Sequence, residues 1–362
     1  MQKYLTLYIV LFCSINVNAQ PVNSLLQKIK SAPEDTSKVH LLYKIGSYYK
    51  SNNFDSACFY FNEGKRLCDK LAYSNGEIDY YLNMHGAYLE NGKYDSSLII
   101  MQKGLLLAKK SGTKIQLANS YENISSTYHY LLNFDSCTRY DLMAQAIYEA
   151  ADDKKELMVF YGNLCGSYNE RHLFIKAKEY GFKALALSKK GFGDDNDLVY
   201  VLNNLCTVYI YLNQSDSAIY YGKRCVELCK KENNYSVGQI ILENMMLVLI
   251  NQQKYKELMP MVAQLKEMGE KINTNEYNAR LNFNYAMAYY YNGQAKIAET
   301  YALQALAISV PNQLSVISKN SYILLDKVSA ILGNYANSDL YGERRDSINN
   351  VQMNEETAKN IQ

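Results

Sequence analysis

The chain contains no tryptophan, only 4 prolines among its 362 residues, and no charge excess, with 38 Lys plus Arg against 36 Asp plus Glu. Each scarcity excludes something. Few prolines leave long helices uninterrupted. A formal net charge of +2 offers no basic surplus for gripping a phosphate backbone, so nucleic acid is not an expected partner. The 4 histidines, His40, His85, His129 and His172, are dispersed and match no metal-ligand spacing. Neither a glycine-rich phosphate loop nor a G-x-S-x-G or H-E-x-x-H motif occurs, and no nucleophile, base and orienter assemble in named roles. No catalytic residue, metal or cofactor is therefore expected. What the chain has in abundance is tyrosine, 35 residues of it, a side chain with an apolar body and a polar tip.

The opening MQKYLTLYIVLFCSINVNAQ has a basic Lys3, an apolar run from Tyr4 to Cys13, and small-side-chain spacing at Val17 and Ala19. That is the pattern of a secretory signal peptide cleaved after Ala19. The run is shorter than the roughly 20 residues a bilayer span needs. Val10-Leu11-Phe12 before Cys13 are not the small residues expected ahead of a lipid-modified cysteine. The expected organisation is a signal peptide over 1–19, a lead-in segment over 20–35, a repeat array over 36–345 and a polar C-terminal helix over 346–362, in an exported, periplasmic protein. Without Cys13, 7 of the 8 cysteines remain, an odd number that cannot pair completely within one chain. Cys225 and Cys229, one helical turn apart, lack a second ligand pair, so these thiols are expected to fill small slots between helices.

A forty-residue period governs the rest. From Tyr48 the anchor recurs at Tyr88, Tyr128, Tyr168, Tyr209, Leu249, Tyr289 and Ser329, with spacings of 40, 40, 40, 41, 40, 40 and 40. Nine residues after each anchor stand Ala57, Ser97, Cys137, Ala177, Ala218, Leu258, Ala298 and Ser338, and three further on Tyr60, Ile100, Tyr140, Tyr180, Tyr221, Met261, Tyr301 and Tyr341. Within each unit apolar residues recur at three and four steps, the helical period. Each unit is thus two antiparallel helices, turning at sites such as Asn91-Gly92-Lys93 and Asn292-Gly293. The recurring Asp55-Ser56, Asp95-Ser96, Asp135-Ser136 and Asp216-Ser217 fall at the start of the second helix, where Asp or Ser is expected to accept bonds from the unpaired N–H groups. The sixth repeat, with Leu249 and Leu258 in its columns, is expected to be more deeply buried or locally irregular. Its Pro260 lies near the start of a helix, where a missing N–H is tolerated.

The stretch N-M-H-G-A-Y-L-E-N-G-K-Y-D-S-S (83–97) resembles the tetratricopeptide repeat, and the same columns run through 202–218 and 285–298. That resemblance implies an all-α, right-handed superhelical solenoid of about eight helix pairs. The family's usual repeat is about 34 residues, so a 40-residue period means longer helices or longer inter-repeat loops. The first helix of each repeat would line a concave face, the usual place for a peptide or protein ligand.

Five residues before the anchors stand Asn83, Asn123, Asn163, Asn204, Asn244 and Asn284. In peptide-binding relatives the matching asparagine grips peptide backbone. Alternatively each amide bonds the neighbouring repeat and holds the stacking register, and both roles are open here. Other residues placed on this face are Glu122, Ser126, His129, Tyr130, Asn169, Glu170, Asn203, Thr207, Tyr211, Glu243, Asn251, Arg280, Tyr290 and Tyr291. The tyrosines of the anchor and second-helix columns are expected to pack between helices, whereas Tyr130, Tyr211, Tyr290 and Tyr291 are candidates for ligand contact. Glu90, Glu170 and Tyr211 stand where the family's carboxylate-clamping members carry cations, which argues against that mode. The two ends, around 31–49 and 342–362, resemble those of exported sensory modules of Gram-negative histidine kinases and regulators. Two readings follow: an exported peptide- or protein-binding scaffold, or the sensory input of a signalling system acting through a membrane-bound partner.

Overall fold

The computed structural model describes residues 22–361; the signal-peptide expectation lies outside them. Among the described residues the chain is all helix. A short α1 (Val22–Ser31) precedes eight pairs: α2 (Thr36–Tyr49) with α3 (Phe54–Leu71), α4 (Ser74–Glu90) with α5 (Tyr94–Ser111), α6 (Lys114–Tyr130) with α7 (Phe134–Ala150), and α8 (Lys154–Glu170) with α9 (Phe174–Ser188). Then come α10 (Asp195–Tyr211) with α11 (Ser215–Lys231), α12 (Tyr235–Asn251) with α13 (Leu258–Ile272), α14 (Asn275–Tyr291) with α15 (Ala295–Ser309), and α16 (Ser315–Ile331) with α17 (Tyr335–Ile361). The expected helix-pair architecture is what the chain adopts.

The long period comes from the helices. From α4 onward every first helix has 17 residues, close to five turns. Turns within pairs stay short, such as 91–93 and 131–133. They close on one left-handed residue, at Gly92, Leu132, His172, Asn213, Gln253, Gly293 and Gly333, with φ between 54° and 77°. Only three of these are glycine, the residue that takes this conformation without steric cost.

The chain divides into two compact units, Met1–Asp194 and Asp195–Gln362. The division falls after the loop that carries the 41st residue of the fourth interval, where Gly191 and Gly193 take positive φ. In the first unit α2 touches α4 and α4 touches α6; in the second α10 touches α12 and α14 touches α16. Consecutive second helices make no comparable contact. The first helices are therefore the inner, more crowded layer of each unit, and the second helices are splayed outward.

Between the layers the tyrosine columns stack in pairs. Tyr128 lies on Tyr140, Tyr168 on Tyr180, Tyr209 on Tyr221 and Tyr289 on Tyr301, with planes 4° to 15° apart and centroids 5.3 to 5.6 Å apart. The small-residue columns make room for this packing. An added Cβ at Gly64 would meet the Tyr43 ring at 2.3 Å. Ala57, Cys137, Ala177, Ala218 and Ala298 are buried. Cys225 and Cys229 are also buried and unbridged, as is every other cysteine among the described residues except the half-buried, unbridged Cys58.

Two expectations change in detail. The Asp-Ser pairs mark the second-helix starts, but they are not the caps. Asn53 and Asn133 accept from the backbone N–H groups of Ser56 and Ser136 at 2.9 and 3.1 Å, whereas Lys93 and Gln214 at the other two starts make no side-chain cap. Asp55, Asp95, Asp135 and Asp216 sit one step inside, in the first turn, where their charge still suits the helix dipole. In the sixth repeat the second helix begins irregularly. A 3-10 turn, Tyr255–Glu257, precedes α13, because Pro260 has no N–H to continue an α-helical ladder back to residue 256.

Candidate functional site

In the first unit the inner layer is laid out by α4, α6 and α8. Thr113 and Gln116 form a capping box at the start of α6. The Gln116 amide also donates to Asn75 O and Asp79 Oδ1, at 3.0 and 2.9 Å. One side chain thus starts a helix and ties it to the preceding repeat.

The asparagine column does not act uniformly. Asn83 accepts from Ser47 Oγ at 3.1 Å and donates to Asp79 O in its own helix at 2.7 Å. Asn123 donates to Asn119 O, again within its helix, at 2.8 Å. Asn163 reaches back one repeat to Glu122 Oε1 at 2.9 Å and is itself exposed. In the second unit Asn284 makes the same reach to Glu243 Oε1, also at 2.9 Å. Asn204 is half-buried. Asn244 is 2% exposed, and its amide nitrogen has no partner.

The two glutamates share this geometry but differ in company. Glu122 Oε2 accepts from Tyr148 OH at 2.8 Å, and Tyr148 also bonds Asn119. Burial pushes the Glu122 carboxyl up from its ordinary range against the opposing bonds from Asn163 and Tyr148, and Asp141 and Glu156 push the same way. Glu243 is likewise raised by burial, but the Arg280 guanidinium opposes the rise. It lies 3.3 Å from Glu243 Oε2 and is held from its other side by Glu276 at 3.1 Å.

The fold also gathers a cluster that the sequence did not signal. Ser125 Oγ donates to Asp141 Oδ1 at 2.5 Å and lies 3.2 Å from Cys137 Sγ. Arg171 approaches the same sulfur at 3.8 Å and donates to Thr138 Oγ1 at 3.0 Å. It lies over the rings of Phe134 and Tyr168. Cys137 and Asp141 are buried, and burial raises the Asp141 carboxyl. At the edge of this cluster His129 Nε2 lies 2.8 Å from Glu170 Oε2. Interaction with the Cys137 sulfur and with the Glu170 carboxylate lifts the imidazole to about 9. Cys137 was legible only as a small-column residue; the four-step spacing to Asp141 was the available clue.

The remaining predicted residues divide by exposure. Asn169, Asn203 and Thr207 are buried among the helices, and burial takes them off the open wall. Ser126 is half-buried, and Asn251 is exposed at the end of α12. Tyr130 and Tyr211 are open, at 42% and 43%. Tyr130 also stacks on Tyr94 of the preceding repeat, as Tyr291 stacks on Tyr255, and Tyr290 packs edge-on against Tyr291. A shallow polar cleft of about 400 Å³ in the second unit is lined by Asn213, Gln214, Ser215, Asp216, Ser217 and Gln252. Those residues belong to turns and helix ends. Among the described residues no group of His, Cys, Asp and Glu has metal-binding geometry, and no helix is long and apolar enough to cross a membrane.

No protein-family model matches the chain, and no curated protein matches it in sequence. Solved structures do. The apo form of RapI matches with a TM-score of 0.60 at 13% identity over 91% of each chain. The apo form of the quorum sensor NprR from B. thuringiensis matches with 0.61 at 15%, over 90% of this chain and 91% of that one. A signal transduction ATPase with numerous domains and a tetratricopeptide repeat sensor, from Pyrococcus horikoshii, matches with 0.64 at 12%, over 92% of this chain and 53% of that one. The fold is therefore that of tetratricopeptide-repeat proteins.

Proposed function

We propose that the protein is a non-enzymatic binding scaffold that takes an extended peptide, or an extended segment of a protein, along the inner helices of its repeats. The observation that carries this is the character of the open part of that layer in the first unit. Exposed Asn163, Glu170 and Tyr130 project from the same face of successive first helices, offering amide, carboxylate and phenol groups on an open surface. Such a surface suits a chain with its own backbone donors and acceptors better than a compact small molecule. The fold shared with a quorum sensor and with a sensor-bearing ATPase agrees with recognition rather than catalysis. Panning a displayed library of random twelve-residue peptides on the full chain, followed by binding of the synthetic winners in solution, tests this. Failure to enrich any peptide family over a bare-surface control would sink the reading.

A second reading, a sensory input module, is favoured by α17, which runs unbroken for 27 residues as a polar extension of the last repeat. A long helix leaving a binding domain is a rigid lever to whatever it contacts. We also propose export with cleavage after Ala19; N-terminal sequencing of the protein recovered from the periplasm would show Gln20 first.

A further inference from the structure

The two units carry the same acid-amide pair with one difference, and each serves as a reference for the other. Glu243 stands three repeats after Glu122, and both accept from an asparagine 41 residues ahead. In the second unit the carboxylate is answered by Arg280, the sixth residue of α14. The sixth residue of α8, 37 positions after Glu122 as Arg280 is after Glu243, is Val159. No lysine, arginine or histidine among the described residues forms an ion pair with Glu122, and the charges that act on it, Asp141 and Glu156, are acidic. Its bonded partners, Tyr148 and Asn163, are neutral. A carboxylate withdrawn from water with only neutral donors is under-compensated. Glu122 nonetheless keeps part of its surface open, beside exposed Asn163.

We propose that Glu122 is the subsite for a positively charged side chain of the bound peptide, an arginine or a lysine, which takes the place that Arg280 occupies at Glu243. The guanidinium or ammonium would approach over half-buried Val159, which stands where α14 carries Arg280, and Asn163 would orient the acid toward it. This rests on the peptide-binding reading above, and the experiment separates the two.

Peptides selected on the wild type are expected to be enriched in arginine or lysine at one position. Replacing that residue by citrulline or norleucine should weaken binding at least tenfold, about 1.4 kcal/mol. Against Glu122→Gln, which keeps the size of the side chain but removes its charge and one of its two acceptor oxygens, the same replacement should cost nothing. Val159→Arg, which supplies the missing cation from within, should also abolish the preference and provides a second variant should Glu122→Gln fold poorly. Peptides that bind with no basic preference, or a replacement cost equal in wild type and both variants, overturn this inference and leave the scaffold reading standing. Absence of any selected peptide overturns both.

Discussion

Tyr168 and Tyr180 lie ring on ring, 5.4 Å between centroids and 7° from parallel, joining the two helices of the fourth repeat. Tyr168 is buried and makes this contact in the column that repeats through both units. Truncating it to alanine removes a large buried ring and leaves a cavity, so Tyr168→Ala should cost about 3 kcal/mol or more. Tyr168→Leu, which keeps much of the apolar volume, should cost about 1 kcal/mol. Urea unfolding of the two variants beside wild type checks the order and the size.

From the second repeat onward, the turn inside each repeat holds a left-handed residue whether or not the sequence supplies glycine. Gly293 has φ of 77° with open space around it, so Gly293→Ala introduces backbone strain without a clash and should destabilise by about 1 kcal/mol. Leu132 holds φ of 56° while 73% exposed. Leu132→Gly should relieve strain of about 1 kcal/mol at little packing loss. Thermal unfolding should move the two melting temperatures in opposite directions.

Two histidines should titrate far apart. His85, fully buried against Thr127 at 2.8 Å, is lowered by desolvation to about 4; His129 is raised to about 9. Since an unfolded histidine titrates near about 6.5, the His129 contribution is complete below that pH and fades as pH rises through 9. The His85 contribution has the opposite slope: it is present above about 6.5 and fades as pH falls toward 4. NMR titration of the imidazole protons would show the two midpoints directly, and His129→Gln should remove the alkaline loss.

The asparagine column offers an internal comparison. Asn163 donates across repeats to the Glu122 carboxylate, whereas the Asn123 side-chain amide donates within its own helix. Asn163→Ala should therefore cost about 1 kcal/mol, because a cross-repeat bond to an acidic acceptor is lost at an exposed position. Asn123→Ala should cost well under about 1 kcal/mol. Denaturant midpoints separate the two, and the loss of peptide binding in each variant measures how far these amides also serve a ligand.

The shared face of the asparagines was legible from their spacing alone, because a helical period places them in line whatever surrounds them. What each amide bonds was not. Asn163 and Asn284 find glutamates 41 residues back, whereas Asn244 sits buried with its amide nitrogen unpaired. Those outcomes depend on which side chain the neighbouring repeat brings to the same height, and no local pattern encodes that.

By itself, the sequence determined the helix pairs, their forty-residue period, turns such as those at Gly92 and Gly293, and the tyrosine columns that stack between layers. These follow from periodicity and side-chain volume, which act within one repeat. The tertiary structure decided the division after Asp194, the burial of Asn169 and Asn203, the meeting of Ser125, Cys137 and Asp141, and the pairing of Glu243 but not Glu122 with an arginine. The Glu243–Arg280 pair joins one repeat to the next, whereas Ser125, Cys137 and Asp141 meet across the two helices of the third repeat; both are set by how helices pack and not by any local pattern.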